Sequence, residues 1–312
     1  MRIALIGEAL IDFTGQGGLT FEGHPGGSPY NTAVACARLG QPPYYLTQLS
    51  TDLFGDHLLR YLVQNGVDTR FVLRSAAPST VAFVEHTPET NRYAFYARGS
   101  ADGGYAPRPL PRLPAGTEFL HFGSISLLQE PSASSISSLV AAHAGRTVMV
   151  FDPNVRPTLI PDLGAFRARC AGWIAQTDLL KLSEEDARLL APDASLSEAA
   201  QRWLGAGVKA VVITRGASGA ELHRLGRAVL QAPAPRVNVV DTVGAGDTFS
   251  AGLSVGLIDG GVTRAGDLLN ASDACWQSVL DFAAAAAALN CTRAGADPPR
   301  RAEVLRFLGR GP

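Results

Sequence analysis

The sequence predicts an α/β fold, a central, mostly parallel sheet flanked by helices, in one domain spanning residues 1–312. Short apolar runs alternate along the chain with longer amphipathic ones, the pattern of βα units around a parallel sheet. The length suits one large α/β domain or two small ones. The proline cluster at 107–114 is the place where a boundary would be sought, but strand-like sequence resumes directly after it, which favours one domain.

In chain order, strands are expected at 3–6, 45–49, 119–122, 148–151, 179–182 and 210–214. Each is a brief, nearly uninterrupted apolar run such as Ile3-Ala4-Leu5-Ile6, as expected where both faces of a sheet are covered. Helices are expected at 29–39, 54–65, 133–143, 164–176, 196–204, 245–257 and 275–289. Two segments break the rhythm. Residues 13–22 form a glycine-punctuated, partly apolar stretch, and residues 80–98 carry two strand-like runs, 81–86 and 92–96, joined by 87–91. The second reads as a β-hairpin inserted into the βα series, suited to a lid or an oligomer contact, or to a plain surface excursion.

Composition removes several function classes. Lys+Arg 27 against Asp+Glu 28 leaves a net charge of -1, with scattered arginines and only two lysines, Lys181 and Lys209. That leaves no electrostatic footprint for nucleic acid and no polybasic membrane patch. No apolar run approaches the ~20 residues of a membrane span; the most suggestive stretch, 282–289, is short and alanine-rich. The start, Met1 to Glu8, lacks the pattern of a signal peptide. Four dispersed cysteines and six histidines make neither C-x-x-C nor H-E-x-x-H, so a reduced, cytoplasmic enzyme without structural zinc is expected.

The strongest chemical signal is Asp241-Thr242-Val243-Gly244-Ala245-Gly246-Asp247 at the head of the helix expected from 245. Small residues let a backbone turn approach a ligand, and the free N–H groups of a helix start suit a phosphate. Asp247 in the same turn is suited to take a hydroxyl proton while the amides of 244–246 carry charge on a transferring phosphoryl group. The plainer alternative is a helix start with glycine for the turn and aspartate for the dipole. A dinucleotide fingerprint fails because Phe249 holds the third glycine position, and a Walker A loop fails because neither lysine follows glycine. Protein-kinase motifs are absent, and the stretch Gly26-Gly27-Ser28-Pro29-Tyr30 falls one glycine short of a hydrolase elbow.

A second cluster, Gly26-Gly27-Ser28-Pro29-Tyr30-Asn31, precedes the helix at 29–39. Gly26 and Gly27 would let backbone amides reach a polyhydroxylated ligand, and Asn31 offers both donor and acceptor. Asp12, read as ending the first strand, is an acceptor for sugar hydroxyls at the carboxyl edge of the sheet. Each has a plainer reading, Asp12 as a turn former and Asn31 as a helix surface residue.

Asp12, the Gly26-Gly27…Asn31 cluster, Asp152-Pro153-Asn154-Val155-Arg156-Pro157 and the Asp241–Asp247 turn occur in one order over nearly the whole chain. Together they resemble the ribokinase-like sugar kinases, the phosphofructokinase B family. The resemblance implies a ribokinase-like domain with a small β lid, ATP as phosphate donor, and Mg²⁺. It implies Asp247 as base, the amides of Gly244, Ala245 and Gly246 as anion hole, and Asp12, Gly26, Gly27 and Asn31 as sugar ligands. Thr214, Gly216 and Gly219 match a nucleotide-binding T-x-G-x-x-G, to which Gly246 also contributes. K⁺ would lie near the anion hole on Asp241, the Val243 carbonyl and backbone near Gly295. Where ribokinases carry N-x-x-E, this chain aligns as Ser183-x-x-Asp186. That pair would orient waters on Mg²⁺, with Ser183 beside the nucleotide, or else would simply cap a helix.

The flanking motifs, among them Gly7-Glu8-Ala9-Leu10-Ile11-Asp12-Phe13 and residues 293–299, resemble those of bacterial fructokinases, which implies phosphorylation of a primary hydroxyl of fructose. Ribokinases place lysine where this chain has Ser28, which argues against ribose. 2-Keto-3-deoxygluconate kinase is the alternative, with Arg98 or Arg156 as carboxylate clamp. Outside enzymes, the alternative is a catalytically silent sugar-binding sensor. A homodimer would use the hairpin face of Val81, Phe83, Tyr93 and Phe95.

Overall fold

The computed structural model describes residues 1–86 and 91–311. Strands are β1 (Ile3–Ile6), β2 (Leu10–Gly17), β3 (Thr20–Gly26), β4 (Tyr44–Ser50), β5 (Val72–Ser75), β6 (Thr80–His86), β7 (Asn91–Tyr96), β8 (Phe119–Gly123), β9 (Val148–Asp152), β10 (Leu179–Ser183), β11 (Ala210–Thr214), β12 (Ala220–His223) and β13 (Leu230–Ala232). Helices are α1 (Ser28–Arg38), α2 (Leu53–Gln64), α3 (Ser132–His143), α4 (Leu163–Ile174), α5 (Glu184–Leu190), α6 (Leu196–Gly205), α7 (Ala245–Asp259), α8 (Ala265–Asn270), α9 (Asp273–Asn290) and α10 (Arg301–Phe307).

Among the described residues the larger sheet has nine strands in the order β13-β12-β11-β10-β9-β8-β1-β4-β5. From β11 to β5 every pair is parallel, and β12 and β13 add antiparallel strands at one end. Successive side chains of a strand point to opposite faces, and the apolar runs therefore feed two cores. Ile3 and Leu5 of β1, with Val148 and Val150 of β9, join the core under α1, α2, α7, α9 and α10. Ala4, Ile6, Met149 and Phe151 join the one under α3, α4, α5 and α6. Burial on both faces explains why these strands read as unbroken apolar runs. The alanine-rich stretch lies in α9, where Ala283, Ala285 and Ala286 are buried in the first core beside α7; no described helix is long and apolar enough to cross a membrane.

The smaller sheet has the order β3-β2-β6-β7 and supplies the β lid. Its β6 and β7 lie within the expected segment 80–98, whereas its first part is longer than the expected 13–22. The first lid segment starts at Leu10 and runs to Gly26, its pairing broken by an irregularity between Gly15 and Gly17. Phe13 and Phe83 stack at 5.0 Å, and Phe21 meets Phe83 edge-on at 5.0 Å, so aromatic pairs hold the lid strands together. Asp12 lies inside β2, and the first strand ends at Ile6, which corrects the reading of Asp12 as its last residue. Residues 87–90 of the hairpin connection and the side chain of Tyr93 lie outside the described residues.

The strand β1 pairs with β4 on one side and β8 on the other, so the chain leaves it in both directions. Such a switch point opens a crevice at the carboxyl ends of the strands, where open α/β sheets bind ligands. The lid strand β2 begins four residues beyond the end of β1 and rises from that edge.

Candidate active site

The first turn of α7 is built by Gly244, which caps the helix with φ 73°, a left-handed conformation that favours glycine. A Cβ there would also come within 2.6 Å of the Ala296 methyl. The Thr248 amide starts the helical pattern by donating to the Gly244 carbonyl at 2.8 Å, whereas the Ala245 amide turns back to Thr242 O at 3.2 Å. That leaves Gly244 and Gly246 as the better-disposed amides of the expected anion hole. Asp247 is the third residue of the helix and is buried.

The N-terminus of α1 meets that carboxylate directly. Ser28 Oγ donates to Asp247 Oδ1 at 2.6 Å, and Asn31 Nδ2 donates to Oδ2 at 2.9 Å. Asn31, an expected sugar ligand, thus also holds Asp247. Burial raises the Asp247 pKa, the Ser28 and Asn31 hydrogen bonds pull it down, Asp152 raises it and Lys181 lowers it, with a net upward shift. A carboxylate so balanced is a stronger proton acceptor than one in water and is still hydrogen-bonded in its ionised form.

The α1 start is anchored in turn by Glu8, which sequence reasoning left without a role. Its Oε1 accepts the Ser28 N–H at 3.2 Å and its Oε2 accepts the Ser126 N–H at 3.1 Å, tying the loop after β1 to the turn after β8. Burial lifts its pKa to about 7, against the pull of hydrogen bonds with Ser124 and Ser126. The motif Gly7-Glu8 contained the signal, since an acidic residue directly after a fully buried strand requires partners.

Beneath α7 lies a polar row that the sequence reading also missed. Lys181 Nζ pairs with Asp152 Oδ2 at 2.8 Å, and Ser250 Oγ donates to the same oxygen at 2.9 Å. Burial works against the Lys181 charge, but the adjoining Asp152 prevails and raises its pKa. His121, fully buried nearby, is pushed down to about 4 by burial and stays neutral.

Across the crevice, Asp12 of β2 faces the same site. A Cβ on Gly26 would run into its carboxylate, so the glycine leaves the space Asp12 occupies. Burial, then the charge of Asp247, raise the Asp12 pKa to about 7, while Arg156 opposes them. Gly27 packs its backbone on that of Glu8 and Ala9. Arg156 is exposed, with its guanidinium folded back on the Asn154 and Val155 carbonyls at 3.4 and 3.2 Å. Arg98 is exposed just beyond β7.

The remaining predicted residues form the rim. Ser183 ends β10 beside Thr214, which ends β11, in register. Ser183 and Asp186 form a capping box for α5: the Ser183 amide and hydroxyl donate to Asp186 Oδ2 at 3.1 and 2.8 Å, and the Val155 amide donates to Oδ1 at 2.8 Å. The capping alternative is therefore what the geometry displays at this pair. Gly216 and Gly219 bracket a tight turn closed by the Arg215 amide on Gly219 O at 2.7 Å. Asp241 accepts the Val243 amide at 3.0 Å and, from 54 positions away, the Gly295 amide at 2.8 Å. Asn290 Nδ2 donates to the Val243 carbonyl at 2.8 Å, clipping the turn to the end of α9.

A buried carboxylate poised at a helix start and facing a lid-borne acid is a site for moving a hydroxyl proton while charge builds on an anion. Comparison with known proteins agrees. The model of the pfkB family carbohydrate kinases matches residues 2–302. A fructokinase of Rhizobium leguminosarum bv. trifolii is 39% identical over 259 residues, covering 82% of this chain and 79% of the relative. Among solved structures, the fructokinase of Xylella fastidiosa with bound ATP superposes with a TM-score of 0.89 at 28% identity, covering 98% of both chains. The fructokinase of Vibrio cholerae O395, in its fructose, ADP and calcium ion bound form, gives 0.85 at 27%, with 98% of both chains covered. With a family match that runs from residue 2 to residue 302 and a fold shared over nearly the whole chain, this chain belongs to the pfkB family of carbohydrate kinases.

Proposed function

We propose that this kinase is a fructokinase that moves the γ-phosphate of ATP to a primary hydroxyl of fructose. The observation that carries the reading is Asp247, buried in the first turn of α7 and held by Ser28 and Asn31. The similarity to fructokinases, one of them bound to ATP and another to fructose and ADP, supports the choice of substrates.

The sugar enters between the lid and the carboxyl ends of β1 and β8, where Asp12 accepts its hydroxyls and Gly26 and Gly27 leave room for them. Closure of the lid removes water. Asp247 takes the proton of the attacking hydroxyl, and the amides at the head of α7 meet the charge on the phosphoryl group. The Thr214–Gly219 turn and the end of β10 at Ser183 form the nucleotide side. By the resemblance K⁺ would be held by Asp241, the Val243 carbonyl and backbone near Gly295. Asp241 accepts the Val243 and Gly295 amides and the Val243 carbonyl accepts Asn290 Nδ2, oxygens that keep lone pairs for a cation, which would supply a fixed positive charge beside the helix start. Ser183 and Asp186 would act on Mg²⁺ through waters, from a hydroxyl and a carboxylate that are also engaged in the cap of α5 and by the Val155 amide; no step is assigned to that ion. The enzyme is cytoplasmic in this reading and dimerises through the lid, but not through the one hairpin face expected. The register pairs Phe95 with Ala82 and Tyr93 with Val84, which sets positions 93 and 95 on the face opposite Val81 and Phe83, and leaves the edges β3 and β7 as the dimer surface.

Coupled ADP release measured with fructose, ribose, 2-keto-3-deoxygluconate and adenosine tests the substrate. Turnover on fructose far above the others is the expected result. Preference for the keto acid would overturn the fructose assignment and make Arg156, whose charge already reaches Asp12, a carboxylate clamp. No ATP consumption with any sugar would leave a binding sensor.

A further inference from the structure

The anion-hole turn has a cation behind it. Residues 119, 148, 150 and 179 point to the core shared with α7, so by the alternation of a strand His121, Asp152 and Lys181 point to that same face. They are three polar side chains on the adjacent strands β8, β9 and β10, placed where an apolar layer would otherwise continue. Lys181 is 4% exposed, whereas the other lysine, Lys209, sits in an exposed setting with its ammonium on the Gly207 carbonyl. Replacing a buried ion pair by apolar residues of like volume is often neutral or stabilising, so stability alone does not account for a lysine at this position.

Its placement does. A Cβ built on Gly246 would lie 3.2 Å from Lys181 Nζ, and no other atom outside the helix's own turn comes within 4 Å of that point. Asp152, held by the same ammonium and by Ser250 from α7, sits farther back. The ammonium thus stands against the Cα of Gly246, nearer to it than any other group outside the start of α7. The opposing charges around the base are Asp12 from β2, Asp152 from β9 and Asp186 from α5, with Arg156 on the Asp12 side and neutral His121 on the Asp152 side.

We propose that Lys181 is a positioning residue for phosphoryl transfer, a fixed cation that works through the Gly246 turn to strengthen the anion hole. This rests on the kinase reading of Asp247 and deepens it. In the step itself the sugar hydroxyl loses its proton to Asp247, its oxygen forms the new bond to the γ-phosphorus, and the bond to the bridging oxygen breaks with its electron pair leaving on ADP. Lys181 keeps all its protons throughout. A compact ammonium suits a place this close to backbone, where a planar guanidinium would need more room.

The test removes the pair without leaving a lone buried charge. The double variant Lys181→Met/Asp152→Asn is compared with wild type by thermal melting, by the KM for fructose and for ATP, and by kcat. The expected result is a folded protein with a fructose KM within about threefold of wild type and a kcat about 100-fold lower, the scale of losing one anion-hole donor. A folded double variant with kcat within about threefold of wild type would make the pair scaffolding and overturn the proposal. Should the Met/Asn pair not fold, Lys181→Gln/Asp152→Asn keeps a neutral hydrogen-bonded pair and carries the same comparison. If wild type consumed no ATP with any sugar, the proposal would fall together with the kinase reading; an active wild type with an equally active double variant overturns this proposal alone.

Discussion

In the proposed mechanism a single carboxylate, Asp247, carries most of the chemistry, and its surroundings make its behaviour predictable. Asp247→Asn keeps the shape and loses the proton acceptor, so kcat should fall by roughly 10³-fold, within the range for general bases, while sugar binding measured by calorimetry persists. Ser28→Ala removes a hydrogen bond that favours the ionised form, so the Asp247 pKa rises. The base works deprotonated; the acid limb of the kcat–pH profile should therefore move to higher pH, and a limb that stays in place would contradict the pairing. At this scale the sequence was legible for types more than for partners. The motif marked Asp247 as a base beside an anion site. It did not say that Asn31, 216 positions away, donates to that carboxylate. Side-chain direction depends on how α1 leans on α7, which no local pattern encodes.

Elements place these residues through their ends. The head of α7 needs Gly244 in a left-handed conformation against Ala296, and Gly244→Ala violates both conditions. It should lower the melting temperature and reduce kcat together, since the same turn supports the fold and presents the amides. At α5 the capping box makes a different forecast. Ser183→Ala should cost about 1 kcal/mol in denaturant unfolding, whether or not nucleotide is affected. The helix starts were readable from capping chemistry and glycine placement. The lid strand β2 was only partly readable, because glycines at 15, 17 and 18 interrupt the alternation that signals a strand, and the pairing that rescues it comes from β3 and β6. β12 and β13 are four- and three-residue strands whose existence depends on the edge offered by β11.

At the scale of the molecule, buried acids set the response to pH. Glu8 ionises near 4.5 in an unfolded chain and at about 7 in the fold, and Asp12 moves from 3.8 to about 7. Between those values the folded state holds protons that the unfolded state has released, so their contribution lowers stability as pH rises through the window and levels off above it. Thermal melts of wild type and Glu8→Gln across pH 5 to 8 should differ in slope, the variant being the flatter; parallel curves would exclude Glu8 as a source. The lid carries a forecast of its own. Its four-stranded sheet leaves β3 and β7 as edges, and Tyr96 and Leu19 are exposed on it. Sedimentation at micromolar protein should give twice the 32.7 kDa of one chain, and a monomer would remove the lid-to-lid dimer.

The sequence by itself determined the βα series, the late glycine turn with its aspartate, and the order of motifs that leads to a sugar kinase. These are local properties: apolar runs, turn chemistry and spacing leave a mark within a few residues of the atoms they concern. It took the packed fold to show that Ser28 and Asn31 grip Asp247, that Glu8 ties two turns together, and that a lysine from β10 stands against Gly246. Those contacts join residues 20 to 219 positions apart. Their cause is the layering of helices on a twisted sheet, which brings distant ends to one edge and buries polar groups together so that each must find its partner in the other.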